Sequence, residues 1–266
     1  MSATTAIWLG VVQGLTEFLP VSSSGHLVIA QHFMTDFEQP GLTFDVVLHL
    51  GTLGAVLLYL RREVGLALSG LKPGSAGAPG RRLIGLLVLG TIPAVVVALL
   101  FKNAIEASFE NLSMVGVSLG ITGIWILVTS RFASGERTFD RLEATDALVV
   151  GICQGAALVP GISRSGMTIG AGLARGLAHG TAARFSFLLS VPAILGAAVF
   201  NLKDAASVSA DAWLGYAAGF STAFAIGYVA IGIVIKFLES QKFHLFGYYC
   251  LVVGGGVLVY VALGNS

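Results

Sequence analysis

The sequence predicts an all-α integral membrane protein with about six transmembrane helices and two re-entrant helical hairpins. Of its 266 residues, 55% are hydrophobic and only 11% are charged, whereas an ordinary soluble domain carries about 25% charged residues. A soluble fold of this length has too little interior to hide so much apolar surface. The formal net charge is +1, which argues against electrostatic binding of nucleic acid.

Six apolar stretches are long enough to cross about 30 Å of hydrocarbon, which takes roughly 20 helical residues. They cover residues 42–60, 83–101, 112–130, 182–201, 213–235 and 246–263. Two further apolar regions, about 3–35 and 147–177, are interrupted by Pro, Gly and Ser, so their pieces are too short to span. Each is predicted to be a re-entrant hairpin, since broken backbone at membrane depth must be covered by protein or by a wet cavity.

Basic residues predict the orientation of the spans. Loop 61–82 carries five Lys or Arg against one acid, and loops 131–146 and 236–242 carry three and two. These three loops should be cytoplasmic. Segments 102–111 and 202–212 hold one Lys each and should face outward. The assignments alternate consistently across the six spans.

The two interrupted regions are also similar to each other. "QGLTEFLPVSSSG" (13–25) aligns without a gap with "QGAALVPGISRSG" (154–166). Residues 44–56 align with 185–197 at the same offset along the chain. Chance similarity between membrane segments rich in Gly, Ala and Val is the alternative, but two matching blocks at one offset favour a true repeat.

This constant offset predicts two repeats within a single membrane domain, 1–266. Repeat 1 covers about residues 1–130 and repeat 2 about 147–266, each with one hairpin and three spans. Because an odd number of crossings inverts the second copy, hairpin 3–35 should enter from outside and hairpin 147–177 from the cytoplasm. Inverted repeats with broken helices typically form a site where they meet near the bilayer midplane.

The first hairpin carries an acid, three serines and a histidine within apolar sequence. Gln13 and Glu17 share a helical face at i, i+4 spacing, and a charge at mid-membrane costs about 2.5–3.5 kcal/mol. Glu17 is therefore a candidate metal ligand or base, with a hydrogen-bonded structural role as the alternative. Ser23 and His26 would share a face of the helix that follows the break. They are candidates for nucleophile, general acid or general base.

The second hairpin adds an arginine in "PGISRSGMT". Arg164 offers a permanent planar cation with bidentate donors, and a helix beginning near Ser165 would point its dipole at the same place. Hydroxyls of Ser163, Ser165 and Thr168 would complete an anion site, with phosphate as the expected ligand. Together the hairpins hold the groups needed for metal-assisted phosphoryl transfer.

Both stretches resemble the two signature motifs of the bacterial undecaprenyl-pyrophosphate phosphatase family, also called bacitracin-resistance proteins. "QGLTEFLPVSSSGHL" is similar to its (E/Q)xxxE pattern followed by PxSSxGH, and "PGISRSGMT" is similar to its PGxSRSGxT. The resemblance extends over the whole chain. It implies hydrolysis of undecaprenyl pyrophosphate to undecaprenyl phosphate and inorganic phosphate, which recycles the lipid carrier of cell-wall synthesis.

The resemblance also implies roles for individual residues. The catalytic set would be Glu17, Ser23, His26 and Arg164, with Glu17 as ligand of a divalent cation, Mg²⁺ or Ca²⁺. The substrate would be bound by Gln13, Ser22, Ser24, Ser163, Ser165, Gly166 and Thr168. Gln13 stands where many family members carry Glu, so Glu17 would be the sole acid of the first motif. Waters and phosphate oxygens would then fill the metal shell, as suits Mg²⁺.

The implied location is the bacterial cytoplasmic (inner) membrane, with the site facing the periplasmic side and with a polyprenyl pyrophosphate lipid and membrane lipids as partners. The attacking group stays open between Ser23, His26 and a metal-bound water, and so does the oligomeric state, a homodimer included. A secondary transporter or flippase for a phosphorylated polyprenyl lipid is the competing interpretation, since inverted repeats and a buried Arg are transporter features. The predicted pair of Ser23 and His26 favours an enzyme, because binding an anion needs neither.

Overall fold

The computed structural model describes residues 2–34, 42–109, 111–133, 135–200 and 212–264. These ranges fold into twelve α-helices and contain no β-strand beyond one isolated bridge. The helices are α1 (Ala3–Thr16), α2 (Ser23–His32), α3 (Leu42–Tyr59), α4 (Arg61–Ser69), α5 (Ala78–Leu100), α6 (Lys102–Ser108), α7 (Leu112–Thr129), α8 (Ala144–Ala156), α9 (Arg164–Ala174), α10 (His179–Phe200), α11 (Trp213–Glu239) and α12 (Phe243–Gly264). The predicted all-α class is confirmed.

Each of the six predicted spans coincides with a helix. Within the described residues, five helical stretches are long and apolar enough to cross a membrane, and α3 with α4 makes a sixth if the bent pair is one span. The bend is 81° and falls between Tyr59 and Arg61. Charged side chains are expensive in hydrocarbon, so the chain turns where the apolar span gives way to the basic loop.

Both interrupted regions form pairs of short helices, as predicted. α1 has 14 residues and α8 has 13, or about 20 Å of helix, which is less than the hydrocarbon thickness. Each break contains a residue with left-handed φ, Ser22 at 71° and Gly161 at 90°. Ser22 then caps α2 by accepting a hydrogen bond from the Gly25 N–H at 3.2 Å. Ser163 caps α9 in the same way through the Gly166 N–H, at 3.0 Å.

The hairpin helices begin at matching positions in the two halves, and each hairpin packs against a span of the other half. The starts of α1 and α8 are related by the same offset that aligns the two motifs, and so are the starts of α2 and α9. α1 packs mainly against α11, and α8 packs mainly against α5. These contacts are close, since a Cβ on Gly151 would lie 2.4 Å from the carbonyl oxygen of Gly90, and small residues allow such approach between membrane helices. The division into two inverted repeats stays a prediction.

An ion-pair cluster holds the second hairpin at its predicted cytoplasmic end. Arg137 donates two hydrogen bonds to Asp146, at 2.9 and 2.7 Å, and Arg175 adds a third through Nε at 2.9 Å. Asp146 is buried in the first turn of α8, and Arg175 follows the end of α9. The carboxylate therefore ties both helices of the hairpin to loop 135–143. The predicted outward loop 202–212 lies, up to residue 211, outside the described residues.

Apolar packing holds the break of the first hairpin. Phe18 is fully buried and meets Phe187 of α10 edge-on, with ring centroids 5.3 Å apart. From α12, the Cys250 thiol donates to the Pro20 carbonyl oxygen at 3.6 Å. The break is thus held between α10 and α12, next to the residues that carry the predicted chemistry.

Candidate active site

The breaks of the two hairpins meet at a cavity of about 950 Å³, to which α3, α6 and α10 also contribute. Its polar lining consists of Glu17, Ser22, Ser23, Ser24, Gln31, His32, Asp45, His49, Glu106, Ser163, Arg164 and Ser165. Apolar side chains complete the lining, among them Leu158 and Ile162 of the second break and Ile194 of α10. The cavity therefore offers both polar and apolar contacts to one ligand.

The Glu17 carboxylate joins the two hairpins at the wall of this cavity. Its side chain is only 5% exposed, and Oε1 pairs with Nη2 of Arg164. Oε2 accepts hydrogen bonds from Nε2 of Gln13 at 3.0 Å and from Oγ of Ser23 at 2.7 Å. Nε2 of His49 lies 3.5 Å from the same oxygen. These partners offset the cost of burying a charge, which is several kcal/mol for an unpaired ion.

Arg164 is held in place from two sides. It is the first residue of α9, and its Nη1 donates to the Ser186 carbonyl oxygen of α10 at 3.2 Å. The Thr168 hydroxyl donates to the Arg164 carbonyl oxygen at 2.7 Å and lies 2.6 Å from the Ser186 hydroxyl. The structure thus brings the predicted acid, Glu17, and the predicted anion-binding arginine into direct contact. Their catalytic roles stay predictions.

The predicted substrate-binding residues fall into two groups. Four line the cavity: Ser22, Ser24, Ser163 and Ser165. Three are not among its lining residues: Gln13, Gly166 and Thr168. The Gly166 N–H already donates to the cap of α9, and the Gln13 and Thr168 side chains are buried against Glu17 and α10. These three residues contact neighbouring groups behind the cavity wall, and their roles in substrate binding stay predictions.

The predicted pair of Ser23 and His26 is not formed. Nε2 of His26 lies 2.8 Å from the Tyr249 hydroxyl of α12, and the two rings stack with centroids 5.7 Å apart. Nδ1 lies 2.8 Å from the Ser22 carbonyl oxygen, and His26 is not among the cavity-lining residues. Ser23 instead donates to Glu17. Helical spacing allowed a shared face, but the partners of both ring nitrogens turn the imidazole toward α12.

A different histidine faces the buried acid. His49 lies on α3, four residues after Asp45, and both line the cavity. Nδ1 of His49 is 2.7 Å from the Asp45 carbonyl oxygen, and Nε2 faces Glu17. Residues 42–60 are predicted only as a membrane span, and neither Asp45 nor His49 is among the predicted site residues. The signal was present in "FDVVLH", because ionisable residues inside an apolar span are candidates for function by default.

Known proteins are similar to this chain over almost its full length. The family described as Bacitracin resistance protein BacA matches residues 6–256. An undecaprenyl-diphosphatase of Syntrophotalea carbinolica is 44% identical over 257 residues, which cover 96% of this chain and 97% of that protein. Undecaprenyl-diphosphatases of Desulforapulum autotrophicum and Carboxydothermus hydrogenoformans are each 40% identical, with 96% and 100% of both chains covered. On this family match and these relatives, the chain belongs to the bacitracin resistance protein BacA family.

Proposed function

We propose that this multi-pass membrane protein hydrolyses undecaprenyl pyrophosphate to undecaprenyl phosphate and inorganic phosphate. The observation that carries the proposal is the contact at the cavity wall. There the buried carboxylate of Glu17 accepts a hydrogen bond from the Ser23 hydroxyl of one hairpin and forms an ion pair with Arg164 of the other. Relatives named undecaprenyl-diphosphatase match nearly the whole chain. The reaction would regenerate the lipid carrier of cell-wall synthesis.

Arg164 would bind the pyrophosphate group. Its planar guanidinium can hold two phosphate oxygens at once, and the hydrogen bond to the Ser186 carbonyl oxygen orients it. Phosphate oxygens would compete with Glu17 for Nη2, so substrate entry would free the carboxylate for chemistry. The apolar lining, including Leu158 and Ile162, would contact the isoprene units nearest the pyrophosphate.

Ser23 is the nucleophile that the geometry favours. Its hydroxyl donates to Oε2 of Glu17 at 2.7 Å, which is the reach required of a general base. Oγ attacks the terminal phosphorus, its proton passes to Glu17, and the bond from that phosphorus to the bridging oxygen breaks, so undecaprenyl phosphate leaves. Water then attacks the phosphorus and the bond from phosphorus to Ser23 Oγ breaks. Glu17 returns the proton to Oγ, and inorganic phosphate leaves. Attack by His26 would require its ring to leave both Ser22 and Tyr249.

The residues at the site fit a divalent cation, Mg²⁺ or Ca²⁺, that is held largely by the substrate. Among the described residues, no group of three or more His, Cys, Asp or Glu side chains is arranged to hold one. Mg²⁺ usually takes one or two carboxylates together with phosphate oxygens and waters. Glu17 would be its protein ligand, and the buried amide oxygen of Gln13 beside it has no hydrogen-bond partner. When bound, the cation would neutralise charge on the pyrophosphate.

A substrate assay tests the proposed reaction. Full-length protein in detergent should release phosphate from undecaprenyl pyrophosphate, release should stop with EDTA, and it should return with Mg²⁺ or Ca²⁺. Full activity in a metal-free preparation would contradict the proposed requirement for a divalent cation. Protein that binds the substrate and releases no phosphate would instead favour the transporter interpretation.

We infer that the cavity opens to the outer side of the bacterial cytoplasmic membrane. Glu106, from the segment 102–111 that the charge pattern places outside, lines the same cavity as Glu17. The substrate headgroup would then lie on the periplasmic face, where undecaprenyl pyrophosphate would be processed.

Thiol labelling in intact cells tests this orientation. Ser75→Cys and Asn103→Cys each introduce one exposed cysteine, in a protein whose own Cys153 and Cys250 are replaced by serine. An impermeant reagent should label the Asn103→Cys protein and leave the Ser75→Cys protein unlabelled. The reverse pattern would place the cavity on the cytoplasmic side.

A further inference from the structure

Helix α7 packs directly against the break of the second hairpin. A Cβ on Gly161, whose φ is 90°, would lie 2.6 Å from the Val115 carbonyl oxygen and 2.7 Å from Cβ of Ser118. Thr122, one turn further along α7, is fully buried and contacts the same break. Three successive turns of α7 therefore support the backbone that leads into Arg164.

The Thr122 hydroxyl forms hydrogen bonds with the backbone at two points of this break. It donates to the Gly161 carbonyl oxygen at 3.1 Å and accepts from the Ser163 N–H at 3.0 Å. One hydroxyl can do both, because it has a donor hydrogen and two acceptor lone pairs. Backbone polar groups at membrane depth need a partner within the protein. Thr122 supplies that partner for two groups of the break.

Other threonines of the membrane helices bond within their own helix. The carbonyl oxygen one turn earlier is a common partner of a mid-helix threonine hydroxyl. Thr129, two turns after Thr122 on the same face of α7, donates to the Trp125 carbonyl oxygen at 2.8 Å. Thr16 and Thr222 also donate to carbonyl oxygens four residues earlier. The partners of Thr122 lie 39 and 41 residues away along the chain, so its hydroxyl connects two separate elements.

We propose that Thr122 is a positioning residue that acts through Ser163 to orient Arg164 toward the pyrophosphate. Ser163 caps α9 by accepting from the Gly166 N–H at 3.0 Å, and Arg164 is the first residue of that helix. A shift of the Ser163 backbone would therefore move the guanidinium together with the start of α9. The inference rests on the proposed function for the ligand of Arg164, and it extends that function to a residue outside both signature motifs.

The start of α9 also carries the contacts between the two hairpins. The Ser165 hydroxyl donates to the Leu19 carbonyl oxygen of the first break at 2.9 Å. Arg164 pairs with Glu17 of the same hairpin. The backbone position that Thr122 holds therefore bears on the anion-binding cation and on the joint between the hairpins.

A double-mutant cycle on the full-length protein in detergent tests the proposal. Thr122→Val keeps nearly the same shape and removes the hydroxyl. It should lower kcat/KM for undecaprenyl pyrophosphate on the order of 10-fold, because small displacements of a positioned group reduce the rate. Thr122→Ser keeps the hydroxyl and should restore most of the activity. In an Arg164→Ala background, Thr122→Val should cost less than about 2-fold, since the group that it positions is gone.

Thr129→Val is the matched control. It removes a buried hydroxyl from the same face of α7, but the partners of that hydroxyl lie within the helix. Its kcat/KM should stay within about 2-fold of the unchanged protein, and thermal melting compares the stability of all variants. If Thr122→Val does not fold, Thr122→Cys takes its place in the cycle, because a thiol is a weak donor and a weak acceptor.

Three results would overturn the positioning role. They are normal turnover in folded Thr122→Val, no recovery in Thr122→Ser, and a loss that is equally large with and without Arg164. The last result would make Thr122 a purely structural residue, because a structural defect lowers activity whether or not the guanidinium is present.

Binding of an undecaprenyl methylenediphosphonate, in which a carbon replaces the bridging oxygen, separates this proposal from the proposed function. If the unchanged protein binds the analogue but releases no phosphate from the substrate, the hydrolysis fails. The same cycle, measured as Kd for the analogue, then still decides whether Thr122 acts through Arg164. Release of phosphate with independent effects of the two substitutions would leave the hydrolysis standing and overturn the positioning role. Absence of both release and binding would overturn both.

Discussion

The two hairpins have the same order of helix, break and helix, but they carry side chains of opposite charge at the break. In each, a short helix leads through a break into a second helix capped by a serine hydroxyl, at 3.2 Å in α2 and 3.0 Å in α9. When the two motifs are aligned, Glu17 corresponds to Leu158 and Ser23 corresponds to Arg164. The first break therefore holds the acid and the hydroxyl, and the second holds the cation. The two breaks form one site because the acid and hydroxyl of the first are complementary to the cation of the second.

The hairpins also differ in what anchors them. Asp146, with two arginines, ties the ends of the second hairpin together, whereas Phe18 and its apolar neighbours hold the break of the first. The corresponding glutamines differ too, since Gln13 donates to Glu17 and Gln154 donates to the Gly90 carbonyl oxygen at 3.5 Å. Gln13 thus acts on the acid at the cavity wall, whereas Gln154 and Asp146 of the second hairpin connect parts of the scaffold.

The largest effect is expected where the first hairpin loses its chemistry. Ser23→Ala, and Glu17→Leu, which copies the second hairpin, should each lower kcat/KM by roughly 10³, within the range known for general acid–base groups. The double variant should be little worse, because one proton transfer needs both side chains. Phosphate release in detergent measures the rates, and thermal melting shows whether each variant is folded.

Ser24→Ala is the control for this prediction. Ser24 lines the cavity beside Ser23 but contacts the Ser22 hydroxyl, at 3.3 Å, instead of the carboxylate. Its loss should change turnover only a few-fold. Effects of Ser23→Ala and Glu17→Leu that multiply in the double variant would show that the two side chains act independently, against the proton transfer proposed.

A smaller effect is expected from altering the cation of the second hairpin. Arg164→Ala should lower kcat/KM on the order of 10², because charge that develops on phosphate would be uncompensated. Arg164→Lys should stay impaired, since an ammonium cannot bind two oxygens as a guanidinium does. Steady-state kinetics at saturating Mg²⁺ would measure both. Normal turnover in Arg164→Lys would mean that a point charge is sufficient.

The smallest effect on catalysis is expected at the anchor of the second hairpin. Asp146→Asn removes a charged acceptor from Arg137 and Arg175 and should lower stability by about 1–3 kcal/mol. Ser2→Ala, at the exposed start of α1, is the counterpart and should cost about 0.5–1 kcal/mol. Thermal melting in detergent compares them. Equal melting temperatures for the two variants would show that the ion-pair cluster adds nothing specific.

Local sequence was sufficient to determine the spanning helices and the breaks, although α4 and α6 lie in segments that were predicted as loops. Long apolar runs must become helices in a membrane because each backbone polar group needs an internal partner, and α3, α5, α7, α10, α11 and α12 follow from that requirement. Serines and glycines after α1 and α8 end those helices and cap the next ones through contacts within a few residues. Glu17 and Arg164 stood out for the same kind of reason, since charged groups within apolar hairpins require partners.

Tertiary structure alone decided which side chains meet. Helical spacing shows which residues share a helix face but not which side chains lie opposite that face. The sequence therefore predicted a pair of His26 and Ser23 that the fold does not form. In the fold Tyr249, which lies near the other end of the chain, holds the His26 ring against α12, and packing of α3 brings His49 to Glu17 instead. Ionisable groups inside a membrane protein settle where a partner removes the cost of burial, and only the arrangement of the helices determines where that partner is.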